Sequence, residues 1–249
     1  MRHESATACV LLIGNEILSG KTQDRNLAFL GAELGRLGVQ LQEARVLPDE
    51  KAEIVAALNQ CRARYTYVIT TGGIGPTHDD ITAECVAGAL GRDLVLDPDA
   101  VARLRRSGRE LNAARLKMAH VPQGATLIDN PLSHAPGFRV ENVFVLAGIP
   151  SVARAMFATF AAELGFGASI HARAVDVYLP EGDIAQSLEA IAATYPEVDI
   201  GSYPFARDGR YGANLVVRGM DESVVEEVLG RVVAAMRALG GESSVGEPA

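Results

Sequence analysis

Residues 66–84, T-Y-V-I-T-T-G-G-I-G-P-T-H-D-D-I-T-A-E, constrain the fold more tightly than any other stretch of the chain. Tyr67, Val68 and Ile69 form a short apolar run of the kind seen in a strand buried on both faces of a parallel sheet. The strand stops at glycine. Gly72, Gly73 and Gly75, followed by Pro76, make a turn whose bare backbone N–H groups can approach a ligand, and Asp79, Asp80 and Thr82 follow at a helix start. Strand, glycine turn and helix N-terminus together form an anion-binding arrangement. The plain alternative is that the glycines only turn the chain and that Asp79 or Asp80 caps the helix. The paired carboxylates argue for more, because like charges a few ångströms apart repel by roughly 1 kcal/mol or more, depending on dielectric. Either a divalent cation sits between carboxylate and phosphate oxygens, or the carboxylates hold ligand hydroxyl and amine groups while the backbone holds phosphate.

The elements around this stretch repeat its logic. Residues 8–13, A-C-V-L-L-I, read as a first buried strand. Leu27, Leu30, Leu34 and Leu37 recur at helical spacing up to Gly38, residues 39–47 suit a second strand, and Ile54, Leu58 and Cys61 mark a second helix ending near Arg64. Strand and helix alternating with short connections predict an α/β, three-layer, doubly wound and mainly parallel sheet. Residues 97–117 read as one charged helix with Val101, Leu104, Leu111 and Leu116 inward and a solvated outer face. Residues 125–146 read as short strands with a hairpin, after which Ala147-Gly148-Ile149-Pro150-Ser151 leads into another helix. Gly165-Phe166-Gly167 suits a hinge, so the first domain is expected over 1–166. A smaller α+β domain over 167–240 follows, with a hairpin turn at Asp208-Gly209, and 241–249 read as a mobile tail.

Composition excludes several classes. A net charge of −8 without a basic stripe argues against a nucleic-acid partner. No apolar run approaches the roughly 18 residues of a membrane span. Cys9, Cys61 and Cys85 are widely spaced, odd in number and without a C-x-x-C pair, so they read as reduced core residues and the cytoplasm is the expected compartment.

Gly14 to Thr22, G-N-E-I-L-S-G-K-T, imitates a phosphate-binding P-loop, but five residues separate the glycines where that motif requires four. A nucleoside triphosphatase of that type is rejected. Asn15, Glu16, Ser19 and Asp24 nevertheless follow the carboxyl end of a strand, where ligands of open α/β sheets bind. Lys21 and Arg25 are candidate phosphate partners, and His78 a candidate donor. Tyr203, Pro204 and Phe205 could cover a base or flavin ring, or could simply pack.

The combination of G-N-E-I-L-S-G-x-x-x-D-x-N, T-T-G-G-I-G-P-T-H-D-D-I-T and P-L-S-H-A-P-G-F followed by A-G-I-P-S resembles the MoaB/Mog molybdopterin-binding fold. It looks most like the amino-terminal part of the competence/damage-inducible protein A family, related to the molybdopterin-binding-like domain of eukaryotic FAD synthases. The resemblance covers about residues 6–164, and I-G-S-Y-P at Ile200 to Pro204 is similar to the small domain that follows in that family.

The resemblance implies that Gly72, Gly73 and Gly75 cradle a nucleotide or pterin phosphate; Thr77, His78, Asn15, Glu16, Ser19, Lys21, Gly148 and Ser151 are the further candidate ligand contacts around them. It implies that Asp80, Asp79 and Asp24 are catalytic and that Asp79 and Asp80 hold a divalent cation. The implied activity is hydrolysis of a nucleotide pyrophosphate such as ADP-ribose or FAD by a homo-oligomer. Pterin binding or adenylyl transfer in molybdenum-cofactor synthesis, and a non-catalytic scaffold, are the alternatives. Ala147-Gly148-Ile149-Pro150 departs from the family's P-G-P-P.

Overall fold

The computed structural model describes residues 6–164, 170–207 and 209–246, and divides into two units, Met1–Gly167 and Ala168–Ala249. The hinge read at 165–167 and Asp208 of the hairpin turn lie outside the described residues.

The first unit begins with β1 (Thr7–Ile13), a short α1 (Asn15–Leu18), α2 (Asn26–Arg36) and β2 (Gln40–Leu47). Next come α3 (Lys51–Arg64), β3 (Tyr67–Thr71), α4 (Thr82–Ala89) and β4 (Leu94–Leu96). Then follow α5 (Pro98–Arg105), α6 (Ala113–Lys117), β5 (His120–Pro122) and β6 (Thr126–Ile128), and finally β7 (Gly137–Val140), β8 (Val143–Leu146) and α7 (Pro150–Phe160). Six strands form one sheet in the order β2-β1-β3-β8-β7-β6, and β4 pairs with β5 in a separate ribbon. The β2-β1-β3-β8 pairs are parallel, and β7 and β6 complete the sheet antiparallel.

The β1 side chains alternate between two cores with the period of two that a strand imposes. Cys9, Leu11 and Ile13 pack with Ile54 and Leu58 of α3 and Val86 of α4. Ala8, Val10 and Leu12 pack with Leu30 and Leu34 of α2 and Met156 and Phe157 of α7. Each large side chain removed from water in this way contributes about 1.5–3 kcal/mol. The sheet is therefore the middle of three layers, and the carboxyl ends of its four parallel strands share one edge.

The single helix read over 97–117 is corrected to two. α5 ends after Arg105, Gly108 adopts φ +69°, and Asn112 starts α6 by accepting from the Arg115 amide at 3.0 Å. Serine and glycine at 107–108 break the backbone where the charge pattern alone runs on.

The second unit contains β9 (His171–Val177), α8 (Glu181–Thr194), β10 (Asp199–Arg207), β11 (Arg210–Gly219), α9 (Glu222–Ala238) and β12 (Ser243–Gly246). Its sheet is antiparallel in the order β10-β11-β9-β12. Val175, Val177, Leu215 and Val217 line its core with Val225, Val228 and Val232 of α9. The segment read as a mobile tail thus supplies β12, which pairs with β9 from Ser243↔Val177 to Gly246↔Ala174. Without apolar periodicity, its edge position rests on backbone hydrogen bonds, which sequence pattern does not reveal. Among the described residues no helix is long and apolar enough to cross a membrane.

Candidate functional site

Three loops leave the carboxyl ends of β1, β3 and β8, and polar contacts fasten their roots together. The Gly14 amide donates to the Leu47 carbonyl at 3.0 Å and the Gly72 amide to the Leu146 carbonyl at 3.1 Å. The Asn15 amide donates to Asp49 Oδ2 at 2.8 Å, so the residues following β1 and β2 are joined. Asn26 is 3 % exposed, and its Nδ2 donates to the Gly148 carbonyl at 2.8 Å and to Thr71 Oγ1 at 3.4 Å.

Each glycine of the β3 turn has a steric reason internal to the fold. A Cβ on Gly72 (φ +99°) would lie 2.1 Å from the Ile13 carbonyl oxygen, and one on Gly73 (φ +67°) 2.1 Å from Thr82 Oγ1. On Gly75 it would meet Asp80 Oδ2 at 2.7 Å, and on Gly148 the Gly72 Cα at 3.2 Å. Gly72 also commits its N–H to Leu146, so a phosphate must draw its backbone donors from later in the turn.

Thr77 organises the paired carboxylates. Its amide donates to Asp80 Oδ2 at 2.8 Å; its hydroxyl is within reach of the same oxygen and lies 2.5 Å from Asp79 Oδ1. One hydroxyl proton serves one of these acceptors at a time. The Thr77 hydroxyl, together with the backbone amide of Asp79, holds the Asp79 carboxyl below the usual aspartate range. Neither aspartate caps the following helix, because the residue before α4 is Ile81 and no side chain caps there. The capping alternative therefore falls, and both carboxylates remain at the turn.

Asp24 is used differently. Its two carboxylate oxygens accept from the amides of Asn26 at 3.1 Å and Leu27 at 2.9 Å, which satisfies the start of α2. No hydrogen bond or ion pair among the described residues joins it to Asp79 or Asp80. Glu16 folds back over Gly14, where a Cβ would come within 2.5 Å of its Oε2. Ser19 Oγ donates to the Glu16 carbonyl at 3.3 Å. Lys21, His78 and Ser151 are exposed.

Two residues that the sequence did not single out belong here. Lys117, at the end of α6, donates its ammonium to the Thr77 carbonyl. Asp49 follows β2 in L-P-D, and its place just past a strand end is the signal that could have found it. A cavity of about 300 Å³ opens beside the turn, lined by Gly73, Gly75, Asp80, Lys117, Met118 and His120 among others.

Among the described residues no three His, Cys, Asp or Glu side chains converge as a metal site. Asp79 and Asp80 alone do not make a closed structural site. They do suit an octahedral, oxygen-seeking ion such as Mg²⁺, which commonly takes one or two carboxylates and fills its remaining positions from water and substrate phosphate.

In the second unit, Tyr203 lies over Gly201 and Phe205 over Gly212, where added Cβ atoms would meet the rings at 2.8 and 2.7 Å. Phe205 also meets Tyr178 edge-on at 5.5 Å. Both rings thus pack on their own sheet.

Comparison with known proteins follows the same division. Residues 9–165 match the family described as a probable molybdopterin binding domain, and residues 169–240 the middle domain of FAD synthase. A protein of Aeropyrum pernix is 36 % identical over 214 residues, covering 81 % of this chain and 80 % of its own length. A CinA-like protein of Syntrophotalea carbinolica is 36 % identical over 154 residues, which are 59 % of this chain and 37 % of that protein. The crystal structure of CinA from Thermoplasma acidophilum aligns with a TM-score of 0.61 at 36 % identity, over 64 % of this chain and 98 % of that one.

Proposed function

Because the chain belongs to the molybdopterin-binding-domain family in its CinA-like form, we propose that it is a metal-dependent hydrolase of nucleotide pyrophosphates, cleaving ADP-ribose or FAD to AMP and a second phosphorylated product. The observation that carries this reading is the pairing of Asp79 and Asp80 around Thr77, beside a glycine turn and with neither carboxylate consumed by the helix that follows. Two carboxylates that cap nothing are costly beside a phosphate unless a cation joins them to it. The match of the second unit to a FAD synthase domain agrees with a flavin or adenine nucleotide as substrate.

Asp79 and Asp80 would hold the ion, which when bound polarises phosphoryl oxygens and lowers the pKa of an attacking water. Thr77 orients both carboxylates through its amide and hydroxyl. Asp79, kept ionised at neutral pH, is an acceptor only: it can receive a hydrogen bond from the attacking water but cannot act as a general acid. Asp49 and Asn26 fix the neighbouring loops, so that ligand binding need not order them.

A second reading, molybdopterin binding, is favoured by the family description itself and by the lack of a three-carboxylate cluster among the described residues. Chromatography of products separates the two. The hydrolase should release AMP from ADP-ribose or FAD only with a divalent cation, and Asp80→Asn should reduce the rate at least about 100-fold while remaining folded. A retained pterin with no AMP release under any cation would favour the second reading.

A further inference from the structure

Two cysteine sulfurs meet in the core of the first unit. Cys9 of β1 and Cys61 of α3 lie 52 residues apart in sequence, and Cys9 Sγ donates to Cys61 Sγ at 3.1 Å. A disulfide holds its sulfurs about 2.05 Å apart, so an approach of roughly 1 Å closes the bond. Both side chains already face one hydrophobic cluster, from the sheet and from the helix layer above it. Cys85 faces that cluster too, but no hydrogen bond among the described residues joins it to either sulfur.

The pair is buried, Cys9 at 0 % and Cys61 at 1 % exposure, yet polar side chains stand at its outer side. β2 is the outer strand of the sheet, and its register sets Glu43 beside Cys9 and Arg45 beside Leu11. Arg45 donates to Glu43 Oε1 at 2.5 Å and to Gln60 Oε1 at 2.7 Å, Gln60 being the residue before Cys61. The Arg45 and Glu43 side chains are 30 % and 24 % exposed. A hydrogen-bonded layer at a sheet edge opens at lower cost than packed apolar side chains, because water replaces its bonds.

We propose that Cys9 and Cys61 form a reversible disulfide in the presence of hydrogen peroxide, stapling β1 to α3. The Cys61 sulfur attacks one peroxide oxygen: the S–O bond forms as the O–O bond breaks, giving a sulfenic acid and water. Cys9 then attacks the Cys61 sulfur, the S–S bond forms as the S–O bond breaks, and hydroxide leaves as water with the Cys9 proton. Two thiols lose two electrons and two protons, and the peroxide is reduced to two waters. Cys9 is the resolving thiol because it donates in the resting contact; burial, more than that contact, holds it above the ordinary cysteine range. Both steps wait on opening of the edge, so the reaction is slow beside that of a free thiol. The staple fixes the strand whose carboxyl end leads into Gly14 and α1, and the inference stands apart from the reading of the glycine turn.

Reduced protein of full length, incubated with hydrogen peroxide and quenched in acid, is analysed by intact mass and peptide mapping beside Cys61→Ala and Cys85→Ala. The parent and Cys85→Ala should each lose about 2 Da, the mass of two hydrogens, with Cys9 and Cys61 in one cross-linked peptide pair. Dithiothreitol should restore the mass, and Cys61→Ala should show no loss. The thermal midpoint of the oxidised parent should stand about 4–16 °C above that of the reduced form, the scale for a disulfide closing a long loop. Mapping of the parent carries the test even should Cys61→Ala fail to fold. Sulfinic or sulfonic acid at single cysteines with no cross-linked pair, a pair that includes Cys85 instead, or an oxidised midpoint no higher than the reduced one would overturn the proposal.

Discussion

The side-chain amide of Asn26 donates to the carbonyl oxygen of Gly148 at 2.8 Å, across 122 residues of sequence. Its second contact, to Thr71 Oγ1 at 3.4 Å, makes this one buried side chain a tie between the carboxyl ends of β3 and β8 and the start of α2. Asn26→Ala removes the side-chain donor of a part-buried hydrogen bond and should cost about 0.5–1.5 kcal/mol of unfolding free energy, measured by urea denaturation. Asn26→Asp should cost more, because a carboxylate would face the same carbonyl. Equal stability of the alanine variant and the parent would show that the tie contributes nothing.

The turn after β3 tolerates no side chain at its first glycine. With φ at +99° and the Ile13 carbonyl oxygen 2.1 Å from the place an added methyl would occupy, Gly72→Ala should lose about 2–5 kcal/mol from strain and overpacking together. Gly91 has a similarly positive φ of +62° but open space around it, so Gly91→Ala should lose only about 1–2 kcal/mol. Chemical denaturation of the two variants separates collision from backbone strain.

Asp79 should titrate below an ordinary aspartate because the Thr77 hydroxyl and its own backbone amide stabilise the ionised form. With the folded pKa below the unfolded value of about 3.9, the stabilisation is present in full above that pH and is lost as pH falls through the folded value. Carboxyl-carbon NMR should therefore find Asp79 titrating lower in the parent than in Thr77→Val, where the hydroxyl is gone. Identical titration in both would remove Thr77 as the cause.

The thiols should be inert in the native protein. Burial pushes the Cys85 thiol up to about 11 and the Cys9 thiol higher than its ordinary value, and Cys9 Sγ lies 3.1 Å from Cys61 Sγ with all three residues buried. Ellman's reagent at pH 8 should find no fast-reacting thiol in the folded chain and three after guanidinium unfolding. One thiol reacting at the rate of free cysteine before unfolding would contradict this packing.

The alternating fold was legible because its strands are short apolar runs punctuated by glycine. Residues 8–13 and 67–71 show this, as do the leucines of α2 that end at Gly38. The β4–β5 ribbon and β12 were not legible: the three residues of β4 are all exposed, and β12 depends on backbone pairing. In the site, Asp79, Asp80 and Thr77 were legible as one local motif. Asp24 shows what spacing alone leaves open: an aspartate before a helix has the same spacing whether it serves a ligand or the helix amides, and here its oxygens accept from Asn26 and Leu27. Lys117 lies 40 residues from Thr77 in sequence, and only the break at Gly108 and the fold of α6 bring the two together.

Water is the nucleophile in the proposed cleavage of a pyrophosphate. Incubation with ADP-ribose and Mg²⁺ in ¹⁸O-enriched water, followed by mass spectrometry of the products, tests this most directly. One ¹⁸O atom in the phosphate of either AMP or ribose phosphate, absent with Asp80→Asn, is the predicted result. Intact substrate, or an adenylyl group transferred to another acceptor without label, would contradict it.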